Sequence, residues 1–519
     1  MFHGCGTKKN VSFVIKSVPE KEINGELLKN EIIDCITSLQ DSGFFVRGVV
    51  CDNHASNVLT YKKLLLTYGC TISDLCINVN NMKIFLFFDV VHLIKNIRNN
   101  LLNRKRFLFP EFSSTSLYDS VSVSGGEISW GLLHKVQEQD DMLQANMKAA
   151  YKLSPKVLHP GNCKQSVPVA LAVFDPSTSA AIEKYFPNKK DAAEFLNLIY
   201  VWWTISNSKV QFNSRHSLGN AAVKDDGKPQ FLREFADWIE MWDELKLPNC
   251  DKFTLSAQTS SALRRTLRCH ASLIEDLFLD NYAFVLTSRF QSDPIEKRYG
   301  QYRQMSGGRF LVSLKDVLCS EKILKIKSLV KGGINIDENV KIKENQTDDL
   351  QALLSRFESR VGSSNSIRLS EGSRDISDYI AGHIAYKTKS FTTGCCSNEL
   401  VMSDPTKSDN KYIDLMSRGG LTYPSEELGN LVARGFAILD VGADIIRQSS
   451  IQSRTAGVCV LEKFLCEESQ PGCDNHRLAI SSLVNRIVTN IFFNNQRKRA
   501  TDAELKDKVA AFKKSKRNK

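Results

Sequence analysis

The sequence predicts an α/β fold class: an α/β N-terminal region, a mainly helical insertion, and a small helical C-terminal domain. Three observations lead there. Apolar runs of strand length alternate with helical periodicities from residue 11 to about 104. From about 125 to 285 the pattern turns helical and aromatic-rich, with pieces such as "FLNLIYVWWTISNSK" and "FLREFADWIEMWDEL". A polar, charged stretch at 335–375 then sets off a last helical piece. Strand and helix in alternation imply a mostly parallel sheet, since each helix carries the chain back to start the next strand in the same direction.

The elements follow in order. "VSFVIKS" at 11–17 is a short strand signal. In "NGELLKNEIIDCITSLQDSG", Leu27, Leu28, Ile32, Ile33, Ile36 and Leu39 share one helical face, with Asn24 as cap and Gly43 as stop. "FFVRGVVCD" is a strand ending at Asp52. A helix over Ala55–Tyr68 and a loop lead to "MKIFLFFD", a fully apolar strand ending at Asp89, and "VVHLIKNIRNNLLN" starts a helix at once. The expected domains are 1–120, the first part of the α/β domain; 121–285, the insertion; 286–334, the last part of the α/β domain; 335–375, a linker flanking a short helix; 376–495, the helical C-terminal domain; and 496–519, a basic tail. No internal repeat is present.

A chain of 519 residues and 58.4 kDa exceeds the usual single-core limit. Hydrophobic content of 42% and charged content of 24% suit a globular protein. No apolar run reaches about 18 residues and the N-terminus lacks a signal-peptide pattern, which argues against membrane insertion and secretion. The net charge is +11, but Arg497–Lys519 alone carries ten Lys/Arg against three Asp/Glu, or +7, leaving +4 for the other residues. That tail reads equally as a solvated extension, a nuclear-import signal or a phosphate-binding arm. The 14 cysteines include no CxxC pair. Cys395, Cys396, Cys466, Cys473 and His476 match no common zinc spacing, and the reading is of buried, reduced thiols in a cytosolic or nuclear protein.

Asp52 and Asp89 each end a strand and precede a helix. Carboxylates at the C-terminal ends of strands stand where α/β sheets bind ligands, and two of them suit a hard cation such as Mg²⁺. Taken alone, each position is read more simply as a helix cap, since Asp is a favoured N-cap residue. In "SRFQSDPIEKRYGQYRQMSGGRF", Asp293, Pro294 and Glu296 read either as acids of a site or as a capping box with proline at the first helical position. His92 lies one turn into its helix, where packing is the ordinary role of a histidine. Lys95 and Arg98 read as a solvated basic face, or as contacts to DNA phosphates.

Together these segments resemble the P element/THAP-domain transposase family. "VVCDNHASN" resembles its second acidic strand. "FFDVVHLIKNIRNNLLN" resembles its D-P-x-H segment, with Val90 where proline is common, and "SDPIEKRYGQYRQMSGG" its D-x-x-E segment. "KLSPKVLHPGNCKQSVPVALAV", "WWTISNSK", "ISDYIAGHIAYK" and "SRGGLTYPS" resemble other parts, so the match runs in pieces over about 10–430. The resemblance implies an RNase H-like catalytic fold, interrupted by a GTP-binding-like insertion, and cut-and-paste chemistry at DNA ends. It implies two Mg²⁺ ions held by acids, one activating water or a 3′-hydroxyl and the other stabilising the leaving oxygen. Carried onto this sequence, Asp52 and Glu296 are catalytic and metal-binding, Asp293 is an adjacent metal ligand, and Asp89 with His92 supports the site. Asn207 and Lys164 are the nucleotide positions, and Lys95, Arg98, Arg497, Lys498 and Arg499 face nucleic acid. The implied partner is DNA, at transposon ends or nonspecifically, with room for a homo-oligomer and no membrane; the implied location is nuclear.

Two departures shape the expectation. The family's first catalytic Asp belongs on a strand before "VSFVIKSVP", as does its zinc-dependent DNA-binding module, and this sequence starts near that point. Upstream of Asp52 stand only Asp34, inside a helix, and Asp41, in the loop after it. The resulting expectation is a truncated, inactive copy. In the insertion, Thr204 replaces the acid of the family's Asp-x-x-Asn pair, and a hydroxyl accepts a guanine edge less well than a carboxylate. GTP binding is then weakened, and no GxxxxGK[ST] motif offers another phosphate cradle. The alternatives are a transposase-derived, non-catalytic DNA- or protein-binding factor, and a purine-nucleotide module unrelated to DNA.

Overall fold

The computed structural model describes residues 2–3, 12–16, 24–145, 147–213, 217–245, 253–306, 312–330, 347–361, 368–392, 395–396, 399–403, 410–416, 421–449, 451, 453–465 and 471–496. The chain is mostly helical and divides into two compact units. The first comprises Met1–Glu127, Leu198–Asn213 and Ser217–Val340; the second comprises Ile128–Asn197, Ser214–His216 and Lys341–Lys519. The stretch 121–285, expected as one insertion, thus contributes to both.

In the first unit, strands β1 (Phe2–His3) and β2 (Ser12–Phe13) pair antiparallel. Helix α1 (Gly25–Asp41) starts at the expected cap: the Asn24 side chain accepts from the amides of Glu26 and Leu27. It stops at Gly43, whose φ of +82° is free to a residue without Cβ. Then come β3 (Gly48–Cys51), α2 (Ala55–Thr67), β4 (Cys76–Val79), β5 (Met82–Phe88) and α3 (Val90–Arg104).

The sheet is mixed, not mostly parallel. Its order is β3-β5-β4, with β3 parallel to β5 and β4 antiparallel to it. The stretch expected to be a loop before β5 holds β4 and a tight hairpin. Asn80 and Asn81 both take positive φ, 51° and 62°, as a two-residue turn with right-handed strand twist requires. The Tyr61 hydroxyl lies within hydrogen-bond distance of the Val49 (2.8 Å) and Phe87 (2.9 Å) carbonyls, tying α2 to both parallel strands.

Helix Ala257–Leu279 packs on β5. Arg265 donates to the carbonyls of Leu86, Ile72 and Asp74, and Thr266 accepts from the Phe88 amide. Beside it, helix Lys228–Glu244 lays Phe231, Phe235, Trp238 and Trp242 into an aromatic core with Phe107, Phe112 and Trp202. The aromatic-rich sequence is therefore core.

The second unit is helical. Helices Trp130–Asp141, Pro176–Tyr185, Glu371–Thr392, Glu426–Val441 and Ser453–Phe464 pack with a further helix over 477–496. Ile480, Val484, Val488 and Phe492 of the last are fully buried, one per turn. Within the stretch expected to be a linker, helix Thr347–Val361 buries Leu353 and Phe357. Asp140 is buried, accepting from the Ala149 and Ala150 amides and the Tyr185 hydroxyl; burial pushes its carboxyl up to about 6. Among the described residues, no helix is long and apolar enough to cross a membrane.

Candidate functional site

The parallel register Cys51↔Phe88 brings Asp52 and Asp89 out at one end of the sheet, and the Asp89 amide donates to the Cys51 carbonyl (2.9 Å). The two acids do different local work. Asp89 is the N-cap of α3: its Oδ1 accepts from the Val91 amide (3.0 Å) and its Oδ2 from the Ser292 hydroxyl. It is fully buried, and that burial raises its carboxyl above the usual carboxylate value against the pull of those two donors and His92. Asp52 is half-buried and does not cap α2, whose cap is His54. Its Oδ1 accepts from the His54 amide (3.1 Å) and from the Asn57 side chain (2.7 Å), which fixes its rotamer at the strand end.

Asp293 and Glu296 arrive from helix Asp293–Met305. The capping box is not formed. Ser292 is the cap, without a side-chain cap hydrogen bond, and Asp293 is already helical. Both acids are exposed in the first turn, where the helix dipole favours them. The Glu296 carboxylate stands 3.7 Å from His92 Nε2, and the same nitrogen is 4.0 Å from Asp89 Oδ2. His92 thus bridges a buried and an exposed carboxylate.

Lys95 is only 7% exposed. Burial lowers its pKa, while the charges of Glu296, Asp89, Asp52 and Asp293 all act on its ammonium and raise it. One amine therefore feels four acids drawn from three separated segments. Arg98, one turn further on, is completely buried, and burial lowers its pKa too. The solvated basic face expected on α3 is corrected: Lys95 serves the acidic edge and Arg98 lies in the interior, so neither presents an exposed surface to phosphates. Arg497, Lys498 and Arg499 lie outside the described residues.

Asn207 is half-buried, and its amide oxygen accepts from Gln291 (3.1 Å), a buried side chain that also donates to the Ser206 carbonyl. The Thr204 hydroxyl turns back to the Tyr200 carbonyl (2.8 Å). Both side chains are used locally. Lys164 is exposed in the turn Gly161–Gln165 of the second unit.

The carboxylate oxygens suit a hard cation such as Mg²⁺ in type. Among the described residues, however, no three of these acids and His92 bring ligand atoms within 4.8 Å of one another. The group that does so lies elsewhere, at Cys395, Cys396, Cys473 and His476. Two partners of the acidic edge went unread in the sequence. Ser292 and Asn57 hold Asp89 and Asp52, and a polar side chain near an acid in sequence gives no sign of which atom it will meet.

No family model matches the chain. The chain is 20% identical over 434 residues to the Transposable element P transposase of Drosophila melanogaster, covering 78% of this chain and 53% of that protein, so it spans about half the length of its relative. The solved Drosophila P element transposase strand transfer complex is similar at a TM-score of 0.47 and 19% identity, over 59% of this chain and 64% of that one. The sequence match takes in most of the chain, and the chain is P element transposase-like.

Proposed function

We propose that this protein acts on DNA as a P element-like transposase, through the acidic edge where β3, β5 and helix Asp293–Met305 meet. The observation that carries the reading is that three distant segments meet there: the Asp89 amide donates to the Cys51 carbonyl beside Asp52, the Ser292 hydroxyl next to Asp293 donates to Asp89, and His92 stands 3.7 Å from Glu296. Capping does not account for this, since only Asp89 caps a helix. On this reading the scaffold is RNase H-like, with the mixed sheet as part of it.

Asp52, Asp293 and Glu296 offer the oxygen donors that Mg²⁺ takes, though no three of these groups stand within 4.8 Å of one another here; the ion, when bound, would supply activation of a hydroxyl nucleophile and stabilisation of the leaving oxygen. The chain's own residues set the stage. Asn57 and the His54 amide hold Asp52 in one rotamer. Asp89, anchored by Ser292, orients His92 toward Glu296. Lys95 offsets the repulsion among the four carboxylates, which lets them stand together before any cation arrives. The reading includes no guanine nucleotide, because Thr204 stands where the family's acid would accept a guanine edge and a hydroxyl does so less well. Action on chromosomal DNA places the protein in the nucleus.

The test is nicking of supercoiled plasmid and joining of 3′-hydroxyl oligonucleotides in Mg²⁺ or Mn²⁺. Cleavage that falls about 100-fold or more in Asp52→Ala and Glu296→Ala, roughly 3 kcal/mol of barrier, supports the assignment. Metal-dependent cleavage untouched by both variants would sink it. DNA binding without cleavage in either metal would move the protein to the alternative, a transposase-derived factor that binds DNA without cutting it.

A further inference from the structure

The second unit contains a cluster that the acidic edge does not use. Cys395 and Cys396 follow helix Glu371–Thr392, and the Cys395 amide still donates to the Thr392 carbonyl. Cys473 and His476 form a tight turn, with the His476 and Arg477 amides donating to the Cys473 carbonyl (2.9 Å each). The turn opens the helix over 477–496, and the Ile480 amide donates to the His476 carbonyl. The two segments are 78 residues apart at Cys395 and Cys473. All four ligand atoms, three Sγ and a ring nitrogen, lie within 4.8 Å of one another.

The separations have the scale of a tetrahedral metal site. With Zn–S near 2.3 Å and Zn–N near 2.0–2.1 Å, a tetrahedron has S···N edges of about 3.5 Å and S···S edges of about 3.8 Å. His476 Nδ1 is 3.4 Å from Cys473 Sγ and 3.7 Å from Cys396 Sγ. Cys395 Sγ is 2.9 Å from Cys473 Sγ, well beyond a disulfide length of about 2.05 Å and short of a zinc edge. Cys395 is exposed, so a small rotation of its side chain opens that edge. A second feature is independent of the ligands. Gly472 holds φ +104°, and a Cβ there would come within 2.5 Å of Ile480 Cδ1 and 3.6 Å of Cys396 Sγ. A glycine therefore stands where the turn must pass over the Cys396 thiol, which is itself buried.

We propose that Cys395, Cys396, Cys473 and His476 form a structural Zn²⁺ site that clips the end of helix Glu371–Thr392 to the start of the helix over 477–496. Three thiolates and one neutral imidazole nitrogen fill all four positions. The site is then closed, with no open position for substrate, as in structural rather than catalytic zinc centres. On this proposal the residues are metal ligands rather than ordinary buried thiols, and they come as two pairs from distant segments, which no single linear spacing displays. Cys466, considered with them in the sequence, lies outside the described residues.

Elemental analysis of the full chain, purified in reducing buffer after expression with added zinc, tests the proposal. About one zinc per chain is expected, retained through gel filtration with EDTA and released by an organomercurial. Cys473→Ser and His476→Ala lose it, whereas His476→Cys keeps it; the last guards against variants that merely fail to fold. Replacing zinc by Co²⁺ gives thiolate-to-cobalt charge-transfer bands and tetrahedral d–d bands. Asp52→Ala and Glu296→Ala keep full zinc, so failure here is separable from failure of the transposase reading. A metal-free wild type, a Cys395–Cys473 disulfide in non-reducing peptide maps, or undiminished zinc in Cys473→Ser would each overturn it.

Discussion

At the scale of single residues, the chain keeps its less usual groups where burial gives them consequences. His270 is buried edge-on between Phe87 and Phe290, with ring centroids 5.0 Å and 5.3 Å away. Burial alone drives its pKa down to about 3. The folded state thus refuses a proton that the unfolded chain takes up near pH 6.5. Stability from this group is fully present above that pH and is lost as pH falls toward 3. Between pH 7 and pH 5 the loss is about 2 kcal/mol. In His270→Phe, urea unfolding followed at both pH values should show a pH 7 to 5 difference smaller by that amount. An unchanged difference would mean the ring is not held neutral. The acidic edge was legible at the same scale only in part. Asp52, Asp89, Asp293 and Glu296 stand out because acids beside apolar runs are conspicuous. Lys95 and Arg98 were misplaced because a charged residue on a helix ordinarily faces water, and only packing shows that α3 is enclosed on that side.

At the scale of elements, local rules read well where a side chain acts on its own backbone. Asn24 and Gly43 bound α1 because capping and positive φ are settled within four residues. Asn24→Ala should lower stability by about 1 kcal/mol, and Asn24→Asp should leave it within a few tenths, measured by urea denaturation. Equal loss in both would show that Asn24 acts through some contact other than the cap. The β4–β5 hairpin was missed for a local reason as well. "NVNNMK" carries Asn-Asn rather than the Asn-Gly that usually announces such a turn, and β4 has only four residues to show a period of two. The capping box at Asp293 and Glu296 is the opposite case. The pattern was present but Ser292 took the cap position, which leaves both acids in the first turn beside His92.

At the scale of the whole molecule, pattern loses its hold. Helical periodicity tells which face of 121–285 is apolar but not which partner covers it, and the chain assigns that stretch to both units. Net charge is the whole-molecule property that the sequence gives outright, and it is lopsided: +7 of the +11 belongs to Arg497–Lys519. Lys95 and Arg98 are buried, so the tail is the densest run of net positive charge from which the proposed action on DNA would draw nonspecific attraction. Counterion release makes the logarithm of affinity fall with the logarithm of salt at about 0.9 per neutralised phosphate. Removing 497–519 should therefore flatten that slope by several units, up to about 6 if every net charge meets a phosphate. It should also cost more than about tenfold in affinity for random duplex DNA at low salt. Fluorescence anisotropy across a salt series reads both quantities. A slope that survives the deletion unchanged would place the DNA-binding surface on the folded body, and the remaining +4 would then have to be concentrated on one face rather than spread over it.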